Sequence, residues 1–304
     1  MKKSKGSSVI GRKGFFSSDR MMPKVLFLFS AISILTTVGI VFVLLSESYK
    51  FFQHVPFIEF ITGIKWTPLF ADPEYGVLPL VTGTLLVTVI ASIVALPLGL
   101  FSAIYLSEYA PERLRAILKP VLEVLAGIPT IVYGFFALTF VTPMIRSILP
   151  ETQVFNALSG GIVVGIMIIP MISSLSEDAM SSVPNSLRNA AYALGSTKLE
   201  VSMKVVVPAA FSGIVAAFVL GLSRAVGETM IVTLAAGSLP NLTFNPLESV
   251  QTLTAYIVSV ANGDTTLGST QYLTMYSVGI VLFVITLVMN IVAGYISRKF
   301  REEY

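Results

Sequence analysis

The chain has 304 residues, 54% of them apolar and only 12% charged, with a mean hydropathy of +0.83; a water-solvated domain carries about a quarter charged residues, so this balance excludes that class. The net charge of +3 is dispersed in short basic groups between apolar runs, which leaves no continuous stripe to track a nucleic-acid backbone. With no cysteine and a single histidine, His54, in a polar connection, disulfide frameworks, thiol nucleophiles and Cys/His metal sites are excluded together.

About 20 apolar residues cross the roughly 30 Å hydrocarbon core of a bilayer as a helix. Uncharged runs of that length predict an all-α, polytopic membrane protein with six transmembrane helices at about 25–45, 80–106, 124–145, 155–175, 213–236 and 277–296. A tail of residues 1–24 precedes the transmembrane domain at 25–297, and residues 298–304 follow it. The first apolar run, 21 residues long, exceeds the apolar stretch of about 7–15 residues of a cleavable signal and reads as an uncleaved span. Between the spans, 46–79 and 237–275 are the longer outer loops. In the second, Asn245-Pro246 predicts a helix start, and Val250, Leu253, Ile257 and Val260 recur at helical spacing. Pro97, Pro129 and Pro170 each remove a backbone donor within a predicted span, and Asn290 is expected to bond between helices.

Orientation follows from Lys and Arg, which short loops retain on the cytoplasmic side. Sixteen of the twenty basic residues fall in the N-terminal tail, the loops after spans two and four, and the C-terminal tail. Lys50, Lys65 and Arg146 fall on the other side, and Arg224 lies inside a span. Both termini are therefore expected in the cytoplasm.

The loop at 177–212 carries the most specific signal. Leu187, Ala190, Ala191 and Leu194 give a short helix an apolar, small-residue face, and Gly195 ends it. Thr197 and Glu200 form a capping box that opens a second helix with Leu199, Met203 and Val206 on its apolar face. A helix-turn-helix with exposed alanines suits a groove on a partner protein. Its spacing resembles the signature of ABC importer permeases, E-A-A-x3-G-x9-I-x-L-P, at Asn189-Ala190-Ala191, Gly195, Val205, Val207 and Pro208. The departure is Asn189, which keeps hydrogen bonding and loses the charge of the usual Glu. The resemblance implies that this segment docks into a separate ATP-hydrolysing subunit. No G-x-x-x-x-G-K-[ST] string occurs here to cradle phosphates, so no cofactor is expected in this chain, and ATP and Mg belong to the partner ATPase.

Arg224 and Glu228 interrupt the fifth predicted span. At the centre of a span an Arg costs about 2.5–3.5 kcal/mol on insertion scales, and such residues face a cavity or a partner. Two readings are open: an i, i+4 pair that neutralises itself, or a pathway in which the guanidinium fork takes an oxyanion in a bidentate manner. The string Arg224-Ala-Val-Gly-Glu-Thr229 resembles the R-A-x-G-E-T segment of phosphate-specific ABC permeases, and Gly127-Ile-Pro-Thr-Ile-Val-Tyr-Gly-Phe-Phe136 resembles another segment of the same group. The likeness runs from Leu80 to Gly294 and is nearest to the PstC type. It implies alternating access in a bacterial cytoplasmic membrane, a homologous second permease of the PstA type, two ATPase subunits and an external phosphate-binding protein. An ABC permease for molybdate or sulfate, and a membrane scaffold or sensor without transport activity, are the alternatives. No Asp pair, Ser-His set or metal cluster lies in the spans to support an intramembrane enzyme.

Overall fold

The computed structural model describes residues 16–263 and 265–299. The predicted N-terminal tail up to residue 15 and residues 300–304 lie outside them. Every named element is helical, and the described residues include one isolated antiparallel bridge, between Trp66 and Tyr75. Five helices are apolar and long enough to cross a membrane: Met21–Phe52, Leu78–Tyr109, Thr130–Ile148, Ala157–Ser181 and Thr270–Lys299. A further bent pair, Lys198–Ala209 and Phe211–Val226, meets at 72°.

α1 (Phe16–Phe52) leaves Phe27, Leu35 and Phe42 exposed, and α14 (Thr270–Lys299) packs along it. An exposed apolar surface of this kind is solvated by lipid. The centre of the fold is α3 (Leu78–Ile104) against α7 (Ala157–Ser181). Gly161 and Gly165 set that approach: a Cβ would sit 2.6 Å from Ile90 Cβ at the first and 2.9 Å from the Ala91 carbonyl at the second. The G-x-x-x-G spacing is thus a packing device here.

Three buried clusters follow one another along α3. Leu80 joins Phe51, Phe60 of the short α2 (Phe57–Thr62), Trp66, Leu253 and Tyr256 at one end. Val87, Ala91 and Ala95 meet Val164, Ile168 and Ile172 in the middle. Ala103 and Ile104 meet Met180, Val183, Ala191 and Val206 at the other end. A π-helical turn, Tyr105–Tyr109, extends α3 beyond this last cluster.

The third span differs from expectation. α4 (Glu112–Ala126) is a separate amphipathic helix with no buried residue, and Gly127-Ile-Pro129 breaks the chain before α5 (Thr130–Phe136). The membrane-length helix therefore begins at Thr130 rather than Val124 and runs through a π-helical turn, Ala137–Val141, into α6 (Thr142–Ile148). Pro129 accordingly sits at the N-cap of α5, where its missing N–H costs nothing, whereas Pro97 and Pro170 lie inside α3 and α7. Ionic contacts hold α4 to α7: Arg115 and Lys119 both reach Glu177, whose side chain is 1% exposed, and Lys119 also reaches Asp178. Burial pulls the Lys119 ammonium down, but its hydrogen bonds to Asp178 and Glu177 outweigh burial and leave its pKa raised.

The helix expected from Asn245 starts later. Asn245 Oδ1 accepts from Leu247 N in a tight turn, and Val250 N donates to the Ala236 carbonyl in extended chain. α13 (Leu253–Ala261) opens instead at Thr252, whose hydroxyl oxygen accepts from Ala255 N.

Candidate functional site

The fifth predicted span is broken where its charges lie. α11 (Phe211–Val226) has 16 residues, which at about 1.5 Å each is too short for the hydrocarbon core alone. Gly227 caps it, and α12 (Met230–Ala235) resumes after Thr229. Glu228 occupies the break, 7% exposed, and its Oε1 accepts from Met230 N at 3.0 Å and Ile231 N at 3.2 Å. The carboxylate thus satisfies the first amides of α12 and lies at the positive end of that helix. Its own carbonyl accepts from Thr254 Oγ1 at 2.6 Å, and Thr84 Oγ1 accepts from Leu253 N at 2.9 Å. These bonds anchor the start of α13 to the break and to α3. Thr84 and Thr88 spend their hydroxyl protons on carbonyls within α3.

Arg224 points the other way. Leu220, Arg224 and Gly227 are exposed on α11, and Arg224 stands at the edge of the buried face formed by Ile214, Ala217, Gly221 and Ala225. The guanidinium makes no ion pair or hydrogen bond with any described residue, and its charge bears on the Tyr133 hydroxyl of α5. Of the two readings, the i, i+4 pair with Glu228 is not formed among the described residues: Glu228 is buried in the break after Gly227, whereas Arg224 is exposed on α11. At 13 residues past Phe211, Arg224 stands about 20 Å along α11. Asn290 accepts from Ser223 Oγ at 3.4 Å, linking α14 to α11.

At the other end of the fold, α8 (Asn185–Ala193) and α9 (Lys198–Val201) flank a turn at Gly195, whose φ of +85° only glycine adopts without strain. Thr197 and Glu200 close their capping box. The Thr197 backbone N–H is the main cause that pushes the Glu200 carboxyl down to about 2, aided by the Thr197 hydroxyl and Lys204. The small-residue face of α8 is split. Ala191, 9% exposed, packs inward with Leu187, whereas Asn189, Ala190 and Leu194 face outward, Leu194 at 88%. Leu199 and Met203 add to the exposed apolar surface, but Val206, expected beside them, is buried. Ala191 therefore belongs to the chain's own core, and the surface free for a partner is Ala190, Tyr192, Leu194 and Leu199. Pro208 lies in the short α10 (Val207–Ala209), just before the 72° bend into α11.

Three ion pairs escaped spacing rules because their partners lie far apart in the chain. They are Arg115 and Lys119 with Glu177, and Arg188 with Glu108.

The family of binding-protein-dependent transport system inner membrane components matches residues 95–302. A Bacillus subtilis protein named a probable ABC transporter permease, YqgH, is 41% identical over 80% of this chain and 78% of its own length. The Methanocaldococcus jannaschii protein named a probable phosphate transport system permease, PstC, is 33% identical over 87% of this chain and 90% of its own. PstC 1 of Mycobacterium tuberculosis is 35% identical over 80% and 82%. Among solved structures, a bacterial alginate ABC transporter bound to its periplasmic protein aligns with a TM-score of 0.64 at 17% identity, over 96% of this chain and 99% of that one. The inward-facing MetNI methionine transporter aligns with 0.54 at 18%, over 75% and 95%. At that identity the two structures speak for the fold alone, whereas the family match spans most of the chain. The chain belongs to the family of binding-protein-dependent transport system inner membrane components.

Proposed function

We propose that this chain is the permease subunit through which an ATP-driven importer moves inorganic phosphate into the cell. The observation that carries the reading is Arg224: an exposed, unpaired guanidinium about 20 Å along a membrane helix costs several kcal/mol against hydrocarbon. A second permease or a water-filled passage must therefore cover it. The fork of N–H donors suits a phosphate oxyanion, and the relatives named PstC support phosphate over other anions.

In this reading α11 contributes half of a passage closed by a homologous subunit of the PstA type. Glu228, its charge spent on the α12 amides, holds the break open without presenting a second charge to the anion. Two ATPase subunits bind ATP and Mg, and their closure moves the exposed tip formed by Ala190, Tyr192 and Leu194. The bend at Pro208 carries that motion into α11. An external phosphate-binding protein delivers the anion, and both termini lie in the cytoplasm of a bacterial cell, an orientation that the distribution of basic residues supports.

The test is uptake of radiolabelled phosphate by proteoliposomes holding the full complex and its binding protein, with molybdate and sulfate as competitors. Accumulation that depends on ATP and resists a large excess of both competitors supports the reading. Preferential transport of either competitor assigns the chain to another oxyanion, and ATP hydrolysis without uptake of any of the three removes the transport role.

A further inference from the structure

The inner side of α8 carries a charge that docking does not use. Leu187, Arg188 and Ala191 share the face turned toward the membrane helices, while Asn189, Ala190 and Tyr192 face away. Arg188 is 13% exposed in its side chain and its partner Glu108 5%. The guanidinium donates to Glu108 Oε1 at 2.9 Å, to the Met180 carbonyl at 2.9 Å and to the Val183 carbonyl at 2.5 Å. Met180 and Val183 lie at the end of α7, where carbonyls lack helical partners and a cation meets the negative end of the dipole. Glu108 lies in the π-helical turn that extends α3, and its Oε1 also accepts from Ser107 Oγ. Beneath these bonds Ala103, Ile104, Met180, Val183 and Ala191 form one buried cluster.

We infer that Arg188 is a positioning residue that joins α8 to the ends of α3 and α7 as one rigid body, so that a push on α8 reaches the central helix pair of the permease. This rests on the proposed transport role. A loop without such a strut absorbs the displacement in its own turns. Arg188 offers no such slack, because its planar fork engages two helix ends in different directions at once. Stability alone is a weak reason to keep the pair, since a buried ion pair is commonly replaceable by neutral groups of similar volume.

The closing experiment uses the full complex in proteoliposomes and reads phosphate accumulated per ATP hydrolysed. Arg188→Met with Glu108→Gln removes both charges and strands neither. The expected result is ATP hydrolysis close to wild type, with a transport-to-hydrolysis ratio lowered about tenfold, within the usual range of coupling between sites. Arg188→Lys, which reaches only some of the partners, should fall between the two. A wild-type ratio in the double variant overturns the inference. A second measurement needs no perturbation of the pair: the chain has no cysteine, so spin labels at Ala193→Cys and Ser182→Cys report the separation of α8 from the end of α7. That separation should be the same without nucleotide and in the ATP-trapped complex, and a change of several ångströms overturns the rigid body. Wild-type vesicles that fail to take up phosphate refute the transport role instead and leave the label distance standing.

Discussion

Glu228 separates a structural acid from a transporting one. Glu228→Ala strips the acceptor from Met230 N and Ile231 N, two amides at the buried start of α12. A stranded buried donor costs about 1–3 kcal/mol, so the two together amount to about 2–6 kcal/mol. Removing a buried carboxylate offsets part of this, since its desolvation is no longer required. Glu228→Gln keeps an oxygen acceptor in place and loses only the attraction between charge and helix dipole, about 0.3–2 kcal/mol. Equilibrium unfolding of the purified variants in detergent should rank wild type above Gln and Gln above Ala, with phosphate uptake of the Gln variant largely retained at matched protein levels. The capping argument fails if Gln and Ala are equally destabilised. It fails in a different way if Gln folds like wild type yet abolishes uptake, because the carboxylate charge would then act on the anion itself.

Arg224→Gln combined with Glu228→Gln should transport no better than Arg224→Gln alone, as the two side chains form no pair whose loss one neutralisation could repair. Ala191→Glu should impair folding, seen as loss of the assembled complex, because its Cβ lies in the cluster with Ile104 and Met180. Leu194→Asp should instead leave the permease folded and inserted while weakening co-purification of the ATPase. Cysteines introduced singly should react with an impermeant reagent from outside when placed in the exposed part of 237–275, and from inside only within 177–212. Outside labelling of the second segment would reverse the topology.

The apolar helices are legible in the sequence because lipid requires long uncharged runs, and such a run needs no tertiary context to be seen. The breaks are less legible. Glycine is tolerated within membrane helices, so Gly227 did not announce the end of α11, and treating 213–236 as one helix put Arg224 and Glu228 on a single face. The hydropathy of residues 124–126 extends the third span toward its N-terminus, whereas Gly127 and Pro129 are the stronger signal that α4 ends there. For α8 the small apolar pattern was visible, but alanine serves a core and a docking surface equally well, and only packing against Ile104 and Met180 separates Ala191 from Ala190. Arg188 and Glu108 stand 80 residues apart, and no spacing rule connects them.

The most direct measurement of the central claim is the initial rate of phosphate uptake by Arg224→Gln, Arg224→Lys and wild-type complexes reconstituted at equal density. Hydrogen bonds to a charged group contribute about 1.5–3 kcal/mol, so losing the guanidinium should slow uptake by about tenfold or more. Lysine, a point charge without the fork, should restore only part of it. ATPase assembly should be unaffected, since Arg224 has no partner among the described residues. Wild-type uptake by Arg224→Gln would contradict the account and remove Arg224 from the path of the anion.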